Sequence, residues 1–387
     1  MNENEKTVLD LADLENVDES GELSEREERF QEEYRQTRRR GRVVTLIAAV
    51  LLAAAFIVSF GVGRYALAPG RVLVSLWEGI RHAAWSVGTW FGSRAAEPAF
   101  MTGREDTVVW LVRMPRILAG VLVGAALSVS GGTYQGLFRN PMISPDILGA
   151  SAGASVGACF MMLLDQGAAM IQLGAFVMGI AAVALSYFLS KAIGKGGNMV
   201  LLLVLCGMTV NTLFNALVSI IKYMADTESQ LPEMTYWLMG SIAKAGYRDL
   251  TFFIITFIIG VVPILALRWR LNLLSFGEDE AKAMGINVGA IRLVCIVCAT
   301  LLTAAVVSIA GTIGWVGLMI PHLVRFIVGP NNKTLMPLSL LIGGLFMLII
   351  DNFCRALLPY EIPLGVLTSL LGAPFFLFIL FKRRGNA

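Results

Sequence analysis

Long apolar runs, separated by short polar or charged segments, divide the sequence from Val43 onwards. All but one of these runs have about 20 residues, which is enough for an α-helix to cross the hydrocarbon core of a bilayer. The pattern predicts an all-α integral membrane protein with ten transmembrane helices. We place them near residues 43–65, 113–136, 147–165, 170–192, 199–224, 250–269, 290–311, 320–329, 335–358 and 361–381.

The eighth run is too short to span a bilayer alone. It follows the stretch "AGTIGWVGLMIP" (310–321), which contains three glycines and ends in Pro321. Non-helical backbone is tolerated at membrane depth only where other protein shields it. We therefore predict one broken or short helix near 312–329.

Two similar stretches of sequence support an architecture with internal repeats. "SVSGGTYQGLFRNP" (128–141) and "SIAGTIGWVGLMIP" (308–321) share serine at the start, glycine three residues on and proline at the end. In the predicted topology the two stretches cross the membrane in opposite directions. Inverted repeats are common in transporters, so we predict two inverted five-helix repeats.

The composition agrees with a membrane protein. The 387 residues are 56% hydrophobic and 15% charged, with a mean hydropathy of +0.70. A soluble domain carries about 25% charged residues. An ordinary soluble protein is therefore excluded.

Charge separates a leader from the membrane region. Residues 1–34 hold 13 of the 28 acidic residues, and "RQTRRRGR" (35–42) adds five arginines directly before the first run. Because basic residues stay on the cytoplasmic side, residues 1–42 are predicted to be a charged cytoplasmic N-terminal extension. Ten crossings that start in the cytoplasm also end there. Both termini of the chain are therefore predicted to be cytoplasmic, and the domain 43–384 ends with basic residues on that side.

This topology puts the loop 66–112 and the motif "RMPR", with Arg113 and Arg116, on the outer side. The loop's stretch "RVLVSLWEGIRHAAWSVGTWF" (71–91) contains three tryptophans, which favour the membrane–water interface. An amphipathic helix lying on the outer surface and a helix packed over the bundle both fit this loop. The two arginines oppose the positive-inside trend, and an interfacial anchor or a lipid-phosphate contact would explain them.

No catalytic set is present. The chain has two histidines without nucleophile or metal partners at informative spacings, and it lacks the Walker A pattern for ATP binding. Its five cysteines fall in or near apolar runs, which indicates buried thiols rather than a metal site. We expect no enzyme activity, no metal site, no cofactor in this chain and no nucleic-acid partner.

One predicted helix carries a polar stripe. Asn211, Asn215 and Ser219 recur every four residues in the run 203–224, so they share one helix face. Amides facing lipid are costly, and this face should meet protein or water. It is either an interhelical hydrogen-bonding surface or the polar wall of a translocation channel.

The cytoplasmic segment 271–289 contains "GEDEAKAMGINVG". An ordinary charged connector is one interpretation. The other is a pair of short helices that seat in a groove of a partner ATPase, with Gly285 permitting a sharp reversal between them.

Four stretches carry a family resemblance: "RMPRILAGVLVGAALSVSGGTYQGLFRNPMISPDILGASAGASVG" (113–157), "MTYWLMGS" (234–241), "AGTIGWVGLMIPHLVR" (310–325) and "IPLGVLTSLLGAPFF" (362–376). Together they resemble the FecCD-type permease subunits of ABC importers for iron-siderophores, haem and cobalamin. The resemblance runs from about residue 43 to 384. It does not extend to the leader or to the long outer loop.

The resemblance implies partners and sites. Family members pair with a second permease copy or a paralogue, bind two cytoplasmic ATPases that carry ATP and Mg, and receive a metal chelate from an external substrate-binding protein. It implies three sets of site residues. They are Arg113, Arg116 and Arg355 for binding-protein docking; Glu278, Glu280, Ala281 and Gly285 for ATPase coupling; and Asn211, Asn215, Ser219, Asn140 and Met142 for the translocation pathway.

We therefore predict the permease of an ABC importer in a bacterial cytoplasmic (inner) membrane, carrying an iron-siderophore, or else haem or cobalamin. Asn140 with Pro141 is also compatible with a simple turn. One alternative function is an ion-coupled secondary transporter without an ATPase, for which Asp146 and Asp351 are the candidate coupling acids. A membrane-anchored scaffold that recruits partners through its acidic leader is another.

Overall fold

The computed structural model describes residues 19–63, 65, 67–90, 96–98, 100–101, 103–194 and 199–384. Residues 1–18 of the predicted N-terminal extension lie outside the described residues. So do residues 66, 91–95, 99 and 102 of the predicted outer loop. The chain divides into two compact units, residues 1–46 and residues 47–387. Regular secondary structure in the described part is helical throughout.

The helices are, in chain order, α1 Glu19–Ser59, α2 Pro69–Trp90, α3 Arg104–Thr107, α4 Met114–Leu137, α5 Ala150–Leu163, α6 Ala168–Ile193, α7 Met199–Met224, α8 Gln230–Leu238, α9 Tyr247–Leu274, α10 Glu278–Ala283, α11 Val288–Ala310, α12 Val316–Val328, α13 Asn332–Ala356 and α14 Leu364–Arg384. A π-helical segment, Val108–Arg113, joins α3 to α4, and a 3₁₀ turn, Pro145–Leu148, precedes α5.

Seven helices of the described part are long and apolar enough to cross a membrane, and three shorter ones are apolar as well. Each of the ten ranges predicted from the sequence overlaps one of these helices, so the all-α prediction is confirmed. The largest difference between a predicted and an observed helix end is in the first helix, which we predicted to end at residue 65 and which ends at Ser59. A 24-residue helix rises about 36 Å, which matches a bilayer with some tilt.

Glycines at helix crossings set the packing of the bundle. A Cβ added to Gly131 of α4 would lie 1.7 Å from the carbonyl oxygen of Gly317 in α12. The same test places Gly124 of α4 only 2.1 Å from the Gly343 oxygen of α13. Small residues let membrane helices approach this closely. The two echoing stretches predicted as repeats are therefore in direct contact through Gly131 and Gly317.

The predicted break before the eighth helix is present. The chain leaves α11 at Gly311, with φ of +66°, and enters α12 after Trp315, with φ of +70°. Backbone hydrogen bonds connect the segments around this break. Ser241 N donates to Ala310 O at 2.8 Å, and Leu364 N donates to Gly240 O at 2.9 Å. The non-helical connection is thus shielded by the turns that precede α9 and α14.

Helix α2 of the outer loop has two unlike faces. On one side Trp110 Nε1 donates to Ser75 O at 3.2 Å, so this face packs onto the segment that leads into α4. On the other side Leu73, Trp77 and Ile80 are 56%, 61% and 59% exposed. The packing interpretation from the sequence is confirmed for one face. A location of the other face at the membrane surface stays a prediction.

Candidate functional site

The polar stripe predicted on the fifth run lies along one face of α7. Asn215 and Ser219 are exposed, whereas Phe214 and Val218, on the adjoining side of the helix, are buried. Asn215 Nδ2 donates to the backbone and side-chain oxygens of Asn211, both at 2.9 Å, and Ser219 Oγ donates to Asn215 O at 3.0 Å. These hydrogen bonds all stay within α7. In the described chain, they give the interhelical alternative no support.

The polar face is longer than the sequence analysis proposed. Thr209 and Thr212 are also exposed, and their hydroxyls donate to the carbonyl oxygens four residues earlier, at 2.9 and 3.0 Å. The three-residue spacing from Thr209 to Thr212 and from Thr212 to Asn215 was a usable signal, which we missed because threonine also occurs in apolar helices. A row of polar side chains on a helix is unfavourable against lipid. This face therefore suits water or a second protein.

Close backbone contact fixes α7 against the bundle. A Cβ on Gly207 would lie 2.3 Å from the carbonyl oxygen of Ile147, in the turn before α5. In the adjoining connector Asn140 Oδ1 accepts from Met142 N at 2.9 Å, so the simple-turn interpretation of Asn140 is confirmed. Asn140 is exposed and Met142 is half-buried. A role of either residue in the pathway stays a prediction.

The segment 271–289 contains the end of α9, the short helix α10 and the start of α11, where one of our two interpretations expected a pair of short helices. Helix α10 ends in a Schellman motif: Gly285 N donates to Lys282 O at 2.9 Å, and Ile286 N donates to Ala281 O at 3.1 Å. Gly285 has φ of +78°, which only glycine adopts without strain. The predicted reversal at Gly285 is therefore confirmed.

The four predicted coupling residues differ in exposure. Glu280 and Gly285 are exposed, and Glu278 is half-buried in an ion pair with Arg292 of α11. Ala281 is 0% exposed, so its prediction as a direct surface contact is wrong. It faces the bundle because a helix of six residues needs an apolar anchor on its inner side. The role of the other three in coupling stays a prediction.

Two apolar side chains beside α10 were missed. Phe276 is 69% exposed and Met284 is 48% exposed, one on each side of the short helix. Large exposed apolar groups at a protein surface are typical of a binding site for another protein. The sequence shows that these two apolar residues flank a charged stretch. It does not show that either side chain is exposed.

Two of the three predicted docking arginines, Arg116 and Arg355, form an ion-pair cluster where α4 begins and α13 ends, and Arg113 lies beside it. Asp351, which is fully buried, lies 2.9 Å from Arg116 and 3.0 Å from Arg355. Arg116 Nη1 also donates to Glu361 at 2.8 Å, in the turn before α14. Glu361 is the accessible member of the cluster, with a side chain that is 28% exposed.

The remaining contacts of the cluster go to the backbone after α1. Arg113 donates through its two terminal nitrogens to Phe60 O and Tyr65 O, and Arg355 Nη1 donates to Val62 O at 3.0 Å. Five guanidinium donors arranged in a fixed fork suit this role of gathering several oxygens. The arginines thus fasten the start of the outer loop to the helical bundle.

The three arginines predicted for docking are therefore buried in this chain. Arg113, Arg116 and Arg355 are 4%, 7% and 6% exposed. Sequence analysis could not foresee this because Asp351 is 235 residues from Arg116 along the chain. Whether the cluster takes part in docking stays a prediction.

The two acids considered for ion coupling are both engaged. Asp351 is held between Arg116 and Arg355, as described above. Asp146, in the turn before α5, accepts a hydrogen bond from the hydroxyl of Ser151. Burial raises the pKa of the Asp146 carboxyl, and the bond from Ser151 opposes this effect. Among the described residues no cluster of histidine, cysteine and acidic side chains could hold a metal ion, and the five cysteines are buried.

A bundle of apolar helices with an exposed polar face on α7 and an exposed short helix, α10, is typical of a membrane transport subunit. The model of the FecCD transport family matches residues 40–382. The molybdate import system permease protein MolB of Haemophilus influenzae is 37% identical over 338 residues, which are 87% of this chain and 95% of that protein. The chain belongs to the FecCD transport family.

Two further comparisons agree. A Helicobacter pylori protein named "Probable iron chelatin transport system permease protein" is 38% identical over 280 residues, which are 72% of this chain and 83% of that protein. A solved metal-chelate type ABC transporter in an inward-facing conformation has a TM-score of 0.74 at 36% identity, over 88% of this chain and 99% of the other. The predicted family and the function of an ABC importer permease are confirmed.

Proposed function

We propose that this chain carries a metal chelate, an iron-siderophore first, across the cytoplasmic membrane, and that two partner ATPases drive the transport. The family match over residues 40–382 carries this proposal. The relatives add the substrate class, since one is named for molybdate and another for iron chelatin. Haem and cobalamin are the other substrates to test.

The proposed topology has ten membrane crossings with both termini in the cytoplasm, arranged as two inverted five-helix repeats. Its support is the set of seven long and three shorter apolar helices. The direct contact between Gly131 and Gly317 in the two echoing stretches also supports it. The arginines of residues 35–42 provide the orientation.

The proposed pathway runs between two copies of the permease, or between the chain and a paralogue. The face of α7 with Asn211, Asn215 and Ser219 is open in the single chain. Pairing two such faces about an axis would line a polar passage and remove the amides from lipid. Asn140 and Met142 lie in the connector after α4, which the proposed topology puts on the cytoplasmic side, and we propose the inner constriction there.

Coupling is proposed at α10 and its flanks. The exposed surface there, which we place on the cytoplasmic side, combines three kinds of group. Charge comes from Glu280, backbone from Gly285, and apolar surface from Phe276 and Met284. The ion pair between Glu278 and Arg292 connects this surface to α11. Nucleotide-driven motion of an ATPase seated there would therefore reach the bundle and switch the accessible side, as in other rocking transporters.

Docking of an external binding protein is proposed at the arginine cluster. Because Arg116 is buried, an incoming carboxylate has to replace Glu361, the exposed partner of that arginine. Bidentate pairing with arginine gives such an exchange geometric specificity. The exchange would free the turn before α14, which is bonded to Gly240.

The proposed coupling is tested by purifying the wild-type chain in mild detergent from its native membranes, beside Glu280→Arg and Lys244→Glu. Both variants reverse the charge of an exposed side chain, at opposite ends of the bundle. We expect an ATPase to co-purify with the wild type and Lys244→Glu and to be lost with Glu280→Arg. Absence of an ATPase from all three preparations contradicts the proposal. Gly285→Arg is a weaker variant, because its strained φ could unfold the turn.

A further inference from the structure

A groove of about 400 Å³ lies between α6 and α11, away from the polar face of α7. Its α6 wall runs from Ile180 to Lys191, and its α11 wall runs from Leu293 to Leu301. Ile180 is at the middle of α6, and Lys191 is in its last turn. On α11 the groove likewise covers the half that begins at the cytoplasmic end. The groove is therefore confined to one half of the bundle.

The length of the groove matches one leaflet. The twelve residues from Ile180 to Lys191 are eleven steps, which rise about 16 Å along a helix. Half of a ~30 Å hydrocarbon core is about the same length. A groove that starts at the middle of the membrane and ends at its surface has the reach of a single acyl chain.

The walls of the groove are apolar and open to the surroundings. Val183 is buried at 3% exposure, whereas Phe188 and Val297 are 65% and 47% exposed. In a bilayer such a groove faces hydrocarbon. Of the described lining residues, Tyr187, Lys191 and Thr300 carry polar side chains, and the hydroxyl of Thr300 is already hydrogen-bonded to Tyr134 at 3.1 Å. An acyl chain against the other, apolar side chains therefore desolvates few polar groups.

The mouth of the groove is cationic. Lys191 is exposed and is the only charged residue among those that line the groove in the described chain. Tyr187, four residues earlier, adds a phenolic hydroxyl below it. The nearest arginine along α11, Arg292, is already paired with Glu278. An apolar slot with one ammonium at the cytoplasmic surface complements a lipid whose headgroup is negative.

We propose that this groove binds one anionic phospholipid of the cytoplasmic leaflet, with an acyl chain between α6 and α11 and the phosphate beside Lys191. The choice of leaflet rests on the proposed orientation of the chain. The occupant bridges two helices, one of which leads directly from the coupling segment. Its binding therefore stabilises the pairing of α6 with α11.

The test is native mass spectrometry of the purified chain in detergent, titrated with phosphatidylglycerol or with phosphatidylcholine. Wild type is compared with Lys191→Gln, Ala184→Phe and Lys333→Gln. Ala184 lines the groove, so phenylalanine fills it without changing charge. Lys333 is an exposed lysine in the first turn of α13, outside the groove, and is the matched control.

We expect the wild type to retain one phosphatidylglycerol more tightly than phosphatidylcholine. Lys191→Gln should weaken phosphatidylglycerol about fivefold, which is the usual contribution of one lysine near an anionic headgroup. It should leave phosphatidylcholine unchanged. Ala184→Phe should weaken both lipids, and Lys333→Gln should behave as the wild type. The thermal unfolding midpoint of each variant checks that it is folded.

Equal effects of Lys191→Gln and Lys333→Gln overturn the proposal, as does equal retention of the two lipids by the wild type. Displacement of phosphatidylglycerol by inorganic phosphate also overturns it, because the site would then recognise a free anion. The experiment uses neither the ATPase nor the binding protein. Its failure leaves the proposed transport untouched, and failure of ATPase co-purification leaves the lipid result untouched.

Discussion

Asp351 and Arg116 form an ion pair, with 2.9 Å between the carboxylate and the guanidinium, inside the bundle and 235 residues apart in the sequence. Arg355 approaches the other oxygen of the same carboxylate at 3.0 Å. One buried anion thus offsets part of the charge of two buried cations. The pair joins α4 to α13, which also meet at their glycines.

Asp351→Asn should destabilise the protein strongly. Removing one member of a buried ion pair leaves the other charge without compensation, and such a change costs about 3–5 kcal/mol. We expect the thermal unfolding midpoint in detergent to fall by several degrees. Asp279→Asn is the matched control, because Asp279 pairs with Lys282 at the surface and its side chain is 94% exposed. Equal midpoints for the two variants would show that the Asp351 cluster contributes no stability.

Gly131→Ala should disturb the crossing of α4 and α12. The added methyl would lie 1.7 Å from the Gly317 oxygen, so the helices must separate. Overpacking of this kind costs about 1–3 kcal/mol. Gly136→Ala on the same helix is the control, because the nearest atom to its added methyl is 3.7 Å away. Thermal midpoints that fall equally in both variants would contradict the close crossing.

Glu361→Gln should tighten binding of the external binding protein. The substitution removes the charged side chain that competes for Arg116, and biolayer interferometry with the cognate binding protein should show a several-fold lower Kd. Glu105→Gln is the control, since Glu105 pairs with Arg71 at 3.0 Å on another part of the outer loop. An unchanged or weaker affinity for Glu361→Gln would mean that docking does not use Arg116.

Cysteine labelling should distinguish the two faces of α7. Asn215→Cys lies on the polar face, whereas Val218→Cys lies on the buried face, where Val218 is 8% exposed. A charged, membrane-impermeant thiol reagent should label Asn215→Cys in the assembled transporter because that face borders the aqueous pathway. It should not label Val218→Cys. The reverse pattern, or no labelling at either site, would place the pathway elsewhere.

The fold could largely be predicted because apolar runs directly determine membrane helices. Runs such as 199–224 coincide with the observed helix, since a long uninterrupted apolar stretch has no alternative in a bilayer. The break before α12 was visible in its glycines. The short helix α8 was missed, because its nine residues contain polar groups and are anchored by tertiary contacts.

The sites could be predicted only in part. Helical spacing placed Asn211, Asn215 and Ser219 on one face, and local turn chemistry placed the reversal at Gly285. Burial is a property of the whole chain, so nothing local revealed that Ala281 points inward. The pairing of Arg116 with Asp351 needs two distant helices to meet, and that meeting depends on glycine contacts which a single sequence does not show.

Uptake by proteoliposomes tests the central claim, that this chain is the permease of an ATP-driven importer, most directly. The complex purified from native membranes is reconstituted with its binding protein, ATP is enclosed, and accumulation of a ferric chelate is measured beside haem, cobalamin and molybdate. We predict that one metal-containing substrate is taken up. This uptake should require hydrolysable ATP and should be unaffected by ionophores. Uptake by the purified chain alone, driven by an ion gradient and abolished by Asp146→Asn, would contradict it.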